Sequence, residues 1–146
     1  MKAKITKTEA INIYGAVVAL LNLNEKYPAK FNYALFKNYN KLKTEVDTIN
    51  TTNKKIVEAF VKETKEAKDK YLVADDKGKK SIPENKKPEL EAELTALATK
   101  HKPAFDESEA FLKSKDDFDF HTVSIEHVPA IESAFMFTLE HIIKGE

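Results

Sequence analysis

Between Pro28 and Tyr71 no glycine and no further proline interrupts the chain, and within that stretch Leu35, Leu42, Ile49 and Ile56 recur at every seventh position. Tyr39, Val46, Asn53, Phe60 and Ala67 fall between them, giving alternating spacings of four and three that place all of these residues along one narrow face of a helix. The pattern therefore predicts a single long helix from Pro28 to Tyr71. Its weakest point is Asn50, Thr51, Thr52 and Asn53, a run of poor helix formers. The seam nonetheless crosses that run in phase, which argues for continuity. Such a helix would span on the order of 65 Å at about 1.5 Å per residue, whereas a compact domain of this size is about 40 Å across. Its far half must then either carry the later elements or offer its seam to another subunit. Asn53 lies on the seam itself, where a polar side chain either fixes the register between helices or is simply solvated.

The flanking segments read as shorter elements around that helix. Thr6 with Glu9 forms a capping box opening a first helix that runs to about Asn22. Its apolar residues, Ile11 to Leu21, cover most of the circumference, so burial on more than one face is expected, with Gly15 tolerated because another backbone passes close by. After the Asn22 to Tyr27 connection and the long helix, Leu72 to Ile82 reads as a hairpin turning at Asp75, Asp76, Lys77 and Gly78. Pro88 opens a third helix with Leu90, Leu94 and Leu97 on one face, and Asp106 with Glu109 caps a fourth that carries Ala110, Phe111 and Leu112. Phe118 to Ile125 alternates as a strand that slips one residue out of phase near His121 and Thr122, as a bulge would make it do. Pro129 starts a last helix with Ile131, Phe135, Leu139 and Ile142 inward, ended by Gly145. The expected fold is mainly α: one domain over residues 1–146, built on one long helix with shorter packed helices and a small β-hairpin and strand element.

Composition narrows the function classes. With 42% hydrophobic and 33% charged residues, the chain reads as a soluble globular protein. No apolar run reaches the roughly 18 to 20 residues of a membrane span, so no membrane partner is expected. Met1 to Lys7 and the stretch after it do not read as a secretory signal. Cysteine is absent, which removes disulfides and thiol chemistry. All 24 basic residues are lysines, and arginine, glutamine and tryptophan are missing too. These omissions read first as the codon bias of an AT-rich genome, but their physical consequence holds regardless of cause. Without arginine there is no bidentate fork for phosphates or guanine edges, and the 24 acidic residues cancel the lysine charge. Specific nucleic-acid binding is not expected.

Catalytic chemistry is equally hard to assemble. The glycines stand alone at 15, 78 and 145, so no phosphate loop or dinucleotide fingerprint can be written. His101, His121, His127 and His141 form no zinc-protease pair. Asp119 and His121, with Glu126 and His127, could in principle gather around a metal, but a solvated strand face accounts for them better. His141 fits the last turn of the last helix, where a cation is favourable. The loop at Asp75 lacks the later ligands of a calcium site, and none of the five serines sits in a nucleophile-elbow context. The expectation is a protein that is not an enzyme and needs no cofactor or metal.

Taken together, the Ile5 to Asn22 pattern, the Lys30 to Leu42 run, the Asp76, Lys77, Gly78, Lys79 turn, the Phe105 to Phe120 helix-to-strand segment and the proline-led last helix resemble a family of small, functionally uncharacterised proteins encoded by tailed bacteriophages. The resemblance spans nearly the whole chain, but it rests on structural patterns and carries no catalytic residues. It implies a viral protein with a virion, assembly or host-takeover role, located in the host cytoplasm or the virion. Aromatic residues crowd more than one face at the start of the long helix and again on the last helix, and a small domain cannot bury every face. Phe31, Phe36, Tyr39, Asn53, Phe135 and Phe137 are accordingly the candidate interface for a protein partner, whether a second copy of the chain or a virion or host protein. The alternative expectation is a small-ligand-sequestering protein that counters host signalling, with a pocket between subunits lined by Tyr14, Tyr39 and Lys43.

Overall fold

The computed structural model describes residues 2–23 and 25–145; Asn24, within the first connection, lies outside them. The fold is mainly α, and the chain forms two compact units, Met1–Thr51 with Phe111–Glu146, and Thr52–Ala110.

In the first unit, strand β1 (Lys2–Thr6) pairs antiparallel with β4 (Lys115–Asp119), from Lys2 opposite Asp119 to Thr6 opposite Lys115. Helix α1 (Lys7–Asn22) follows through the capping box: Thr6 Oγ1 accepts from the Glu9 N–H at 3.0 Å, and Glu9 Oε1 accepts from the Thr6 N–H at 3.3 Å. Ala10, Ile13, Val17 and Leu20 form the one stripe of α1 that is fully buried. The expectation for Gly15 does not hold. It is exposed and has nothing within 4 Å of where a Cβ would sit, so no passing backbone explains its cost in the helix.

Helix α2 (Ala29–Tyr71) is continuous through the Asn50 to Asn53 run. In its first half Phe31, Ala34, Leu35, Leu42 and Ile49 join the α1 stripe, Ile5, Phe120, Val123, Leu139 and Ile142 in one core. Asn38 is the buried polar residue of that face, and its side chain is fully paired. Nδ2 donates to the carbonyls of Ala34 and His121, each at 2.8 Å, while Oδ1 accepts from the His121 N–H at 2.9 Å. A helix side chain thus supplies the paired donor and acceptor that a neighbouring strand would have given to His121.

That pairing explains a departure from the sequence reading. The segment from Phe118 to Ile125 is not one strand with a bulge. The chain leaves β4, turns at Phe120 to Thr122 where Asn38 holds it, and enters β5 (Val123–Ser124), which pairs in parallel with β6 (Ile143–Lys144) in a different sheet. The phase slip marks a change of sheet. The last helix is also shorter than its periodicity suggests, because α5 covers only Ser133–Thr138. Leu139 and Ile142 are still buried, but both sit in the turn that joins α5 to β6. His141 consequently caps no helix. Its ring stacks on Phe120 with centroids 5.9 Å apart and planes 8° apart.

In the second unit α2 continues beside α3 (Lys87–Lys100) and α4 (Lys102–Lys113), which are joined at His101. Helix α4 begins four residues ahead of the expected Asp106 cap, because Pro103 falls in the first turn, where a missing N–H costs nothing. Phe60 of α2 meets Phe105 edge-on at 4.6 Å. Ser108 of α4 donates to Asn53 Oδ1, so the polar seam position is engaged within the chain. The expected hairpin is present as β2 (Val73–Ala74) and β3 (Lys80–Ser81). Asp75 Oδ1 accepts from the N–H groups of Lys77 and Lys79, and Gly78 takes the φ of 80° that a side chain would resist.

Glu63 of α2 contacts the corner between α3 and α4. One carboxylate oxygen meets the His101 ring nitrogen and the other accepts from Lys100 at 3.0 Å. These hydrogen bonds, the His101 one foremost, hold the Glu63 carboxyl below the ordinary carboxylate range. A carboxylate whose folded pKa is depressed contributes stability that is present above its unfolded pKa and lost as pH falls through the folded value. Glu63→Gln should therefore lower the urea midpoint at neutral pH, and the two proteins should converge as pH drops below the carboxylate range. A deficit that persists in acid would assign the loss to packing instead.

Among the described residues, no helix is long and apolar enough to cross a membrane.

Candidate functional site

An opening in the first unit lies between the start of α2 and the segment that Asn38 anchors. It is an open groove of about 580 Å³, lined by Ala29, Lys30 and Tyr33 on one side and by His121 to Ser124, Glu126 and His127 on the other. Local folding accounts for each contributor. Pro28 ends the connection and sets Ala29 and Lys30 in the first turn of α2, where the Asn32 N–H bonds the Pro28 carbonyl at 2.9 Å. Tyr33 follows on the outer face, because Phe31, Ala34 and Leu35 take the inner one. Residues 125–127 form a short 3-10 turn that projects from β5 and presents Glu126 and His127.

The groove is furnished more with donors than with acids. Lys30 Nζ lies 3.4 Å from His127 Nε2, which is also 3.2 Å from the Glu126 carboxylate. One ring nitrogen cannot accept a proton from the lysine and donate one to the glutamate at the same time. The His121 ring stands edge-on to Tyr33 at 5.1 Å, and the Lys37 ammonium lies 5.6 Å from the Tyr33 ring centre. Thr122 and Ser124 make no side-chain hydrogen bond among the described residues. The first turn of α2 contains no acidic residue.

A second feature is the apolar surface. Tyr33 is 54% exposed, Phe36 50%, Ile125 44% and Phe137 78%. The candidate interface residues thus divide. Phe36 and Phe137 stand on the surface, whereas Phe31 is core and Phe135 packs half-buried against it. Phe31 therefore presents no surface to a partner, since the inward face of α2 consumes it. Tyr39 is half-buried and stacks on Tyr14, with centroids 5.8 Å apart and planes 22° apart. Partial burial foremost, then the Tyr39 hydroxyl and the charge of Asp47, pushes the Tyr14 phenol above its usual range. The Tyr14 and Tyr39 rings thus fill one another's space. Lys43 is exposed on α2.

Sequence reasoning named His121, Glu126 and His127 and missed Lys30, Tyr33 and Asn38 as their companions. Only His121, Glu126 and His127 carried a signal, because the other half of the groove is far away in the chain. Among the described residues, no group of three or more histidine, aspartate or glutamate side chains is arranged to hold a metal ion. In the second unit, Thr64 Oγ1 is buried without a partner among the described residues, beside a shallow groove of about 310 Å³ along α2 lined by Phe60, Val61, Thr64, Lys65 and Lys68.

No family model, no curated protein and no solved structure matches the chain.

Proposed function

We propose that the chain is a noncatalytic interaction protein that docks another protein through the exposed aromatic face of the first unit. The supporting observation is the division of the aromatic residues at the start of α2. Phe31 fills the core, while Tyr33 and Phe36 remain half exposed on a helix whose inner face is already occupied. Large apolar side chains left in water on an otherwise well-packed unit are what interface anchors look like. Phe137, the most exposed large apolar residue among those described, adds a second anchor. A viral origin, with a virion, assembly or host-takeover role, enters this reading through the pattern-level resemblance alone. The partner is a second copy of the chain or a virion or host protein.

Photocrosslinking in the producing cell tests the reading. A photoreactive residue placed at Phe36 or Phe137 should give a crosslinked species of defined mass. The same residue at Glu91, exposed on α3 in the second unit, should not. Equal yields at all three positions, or none at any, would sink the proposal.

A further inference from the structure

The groove beside the aromatic face holds polar groups that neither the fold nor protein docking accounts for. Lys30 and His127 bring two nitrogens to within 3.4 Å of each other. A lysine ammonium has only donors, and a neutral imidazole has one donor and one acceptor. Glu126 competes for the same His127 nitrogen at 3.2 Å. Its side chain is 68% exposed, so water screens it and it can turn away at little cost. An anionic oxygen seated between Lys30 and His127 would satisfy both nitrogens and resolve that conflict. Thr122 and Ser124 line the same groove with hydroxyls that bond nothing else among the described residues.

The number of donors selects among anions. A carboxylate offers two oxygens, whereas a phosphomonoester offers three strong acceptors on one centre. Two nitrogens and two hydroxyls match the second better. The other wall is aromatic: Tyr33 presents a half-exposed ring, with the His121 imidazole edge-on at 5.1 Å. A planar group can lie against that ring while its phosphate reaches Lys30 and His127.

We infer that this groove binds a small phosphomonoester carrying a planar ring, with Lys30, His127, Thr122 and Ser124 taking the phosphate and Tyr33 and His121 the ring. The inference concerns a ligand rather than a protein partner; it shares Tyr33 with the docking surface proposed above, but Lys30 and His127 take no part in that surface.

Phenyl phosphate is the probe, with inorganic phosphate and phenol as its separate halves. In titrations followed by the imidazole resonances of the intact chain, phenyl phosphate should move His121 and His127 and leave His101 unmoved. Inorganic phosphate should bind at least about tenfold more weakly, the fold-change that one lost aromatic contact is worth. Lys30→Met should weaken both phosphates by about tenfold or more, as loss of a charge-assisted bond does. Tyr33→Ala should remove the advantage of phenyl phosphate over inorganic phosphate and leave the latter unchanged. Both substitutions lie on the surface, and unaltered melting of the variants confirms that the fold persists. No movement of His121 or His127 by phenyl phosphate overturns the assignment. So does equal binding by the Lys30→Met variant, or movement produced by phenol alone.

Discussion

Replacing Asn38 by leucine, which keeps its branched skeleton but is bulkier, should destabilise the protein by about 2 to 5 kcal/mol, through the lost partners of two backbone groups and the crowding of a fully buried site. The His121 N–H and C=O both end on the Asn38 amide, at 2.9 and 2.8 Å, and among the described residues no backbone group bonds either of them in the segment between β4 and β5. Leucine would leave the N–H and the carbonyl unpaired at the edge of the core. Asn38→Asp is the sharper comparison, because its shape is almost identical. A carboxylate can accept from the His121 N–H, but it cannot donate to the His121 or Ala34 carbonyl, and it brings a charge into a fully buried position. Both variants should show a lower urea midpoint with an unchanged slope. An aspartate variant as stable as the parent would show that shape alone, not the amide pairing, holds the turn. Because His121 and Thr122 line the groove, the two variants should also disturb the His121 resonance more than that of His101 in the second unit.

How far the fold could be read from the sequence depended on how local the cause was. Helix α2, the hairpin at Asp75 to Gly78, the Thr6 and Glu9 cap and the Leu90, Leu94, Leu97 face each arise from residues within a turn or two of one another. All of them are present. Strand β1 was missed because five residues with three polar ones, Lys2, Lys4 and Thr6, carry little signal alone. Its stability comes from β4, more than a hundred residues later. A second nonlocal pairing shortened the last helix. Ile131, Phe135, Leu139 and Ile142 point to the core at helical spacing, but β6 pairs with β5 and takes the end of the chain out of helical geometry.

Asn38 was missed for a different reason. With Leu35 and Leu42 on the seam, the position between them could be 38 or 39, and an apolar pattern prefers Tyr39. The core took Asn38 because a chain crossing α2 at His121 needed both a donor and an acceptor. Tyr39 was displaced to the flank, where Tyr14 covers it. Apolar periodicity has no means of registering such a residue. The groove suffers the same blindness: Glu126 and His127 stand out in the sequence, but Lys30 and Tyr33 become their neighbours only once Asn38 has fixed the crossing.

The seam itself separates into positions of unequal weight, which a substitution series along α2 should reveal. Leu42 and Ile49 are buried in the core of the first unit, whereas Ile56 is only half-buried in the second. Leu42→Ala and Ile49→Ala should each cost about 2 to 5 kcal/mol, through lost transfer energy and the cavity left behind. Ile56→Ala should cost about half as much, because removing half-exposed methylenes returns less surface to water. Equal costs at all three positions would mean that Ile56 is covered by something the single chain does not supply, as a self-association seam would require. The engagement of Asn53 by Ser108 argues against that, since the polar seam position already has its partner in the same chain. The deficits of the three variants should accordingly be the same at protein concentrations about tenfold apart, because mass action moves stability only where the substituted surface is buried by a second copy.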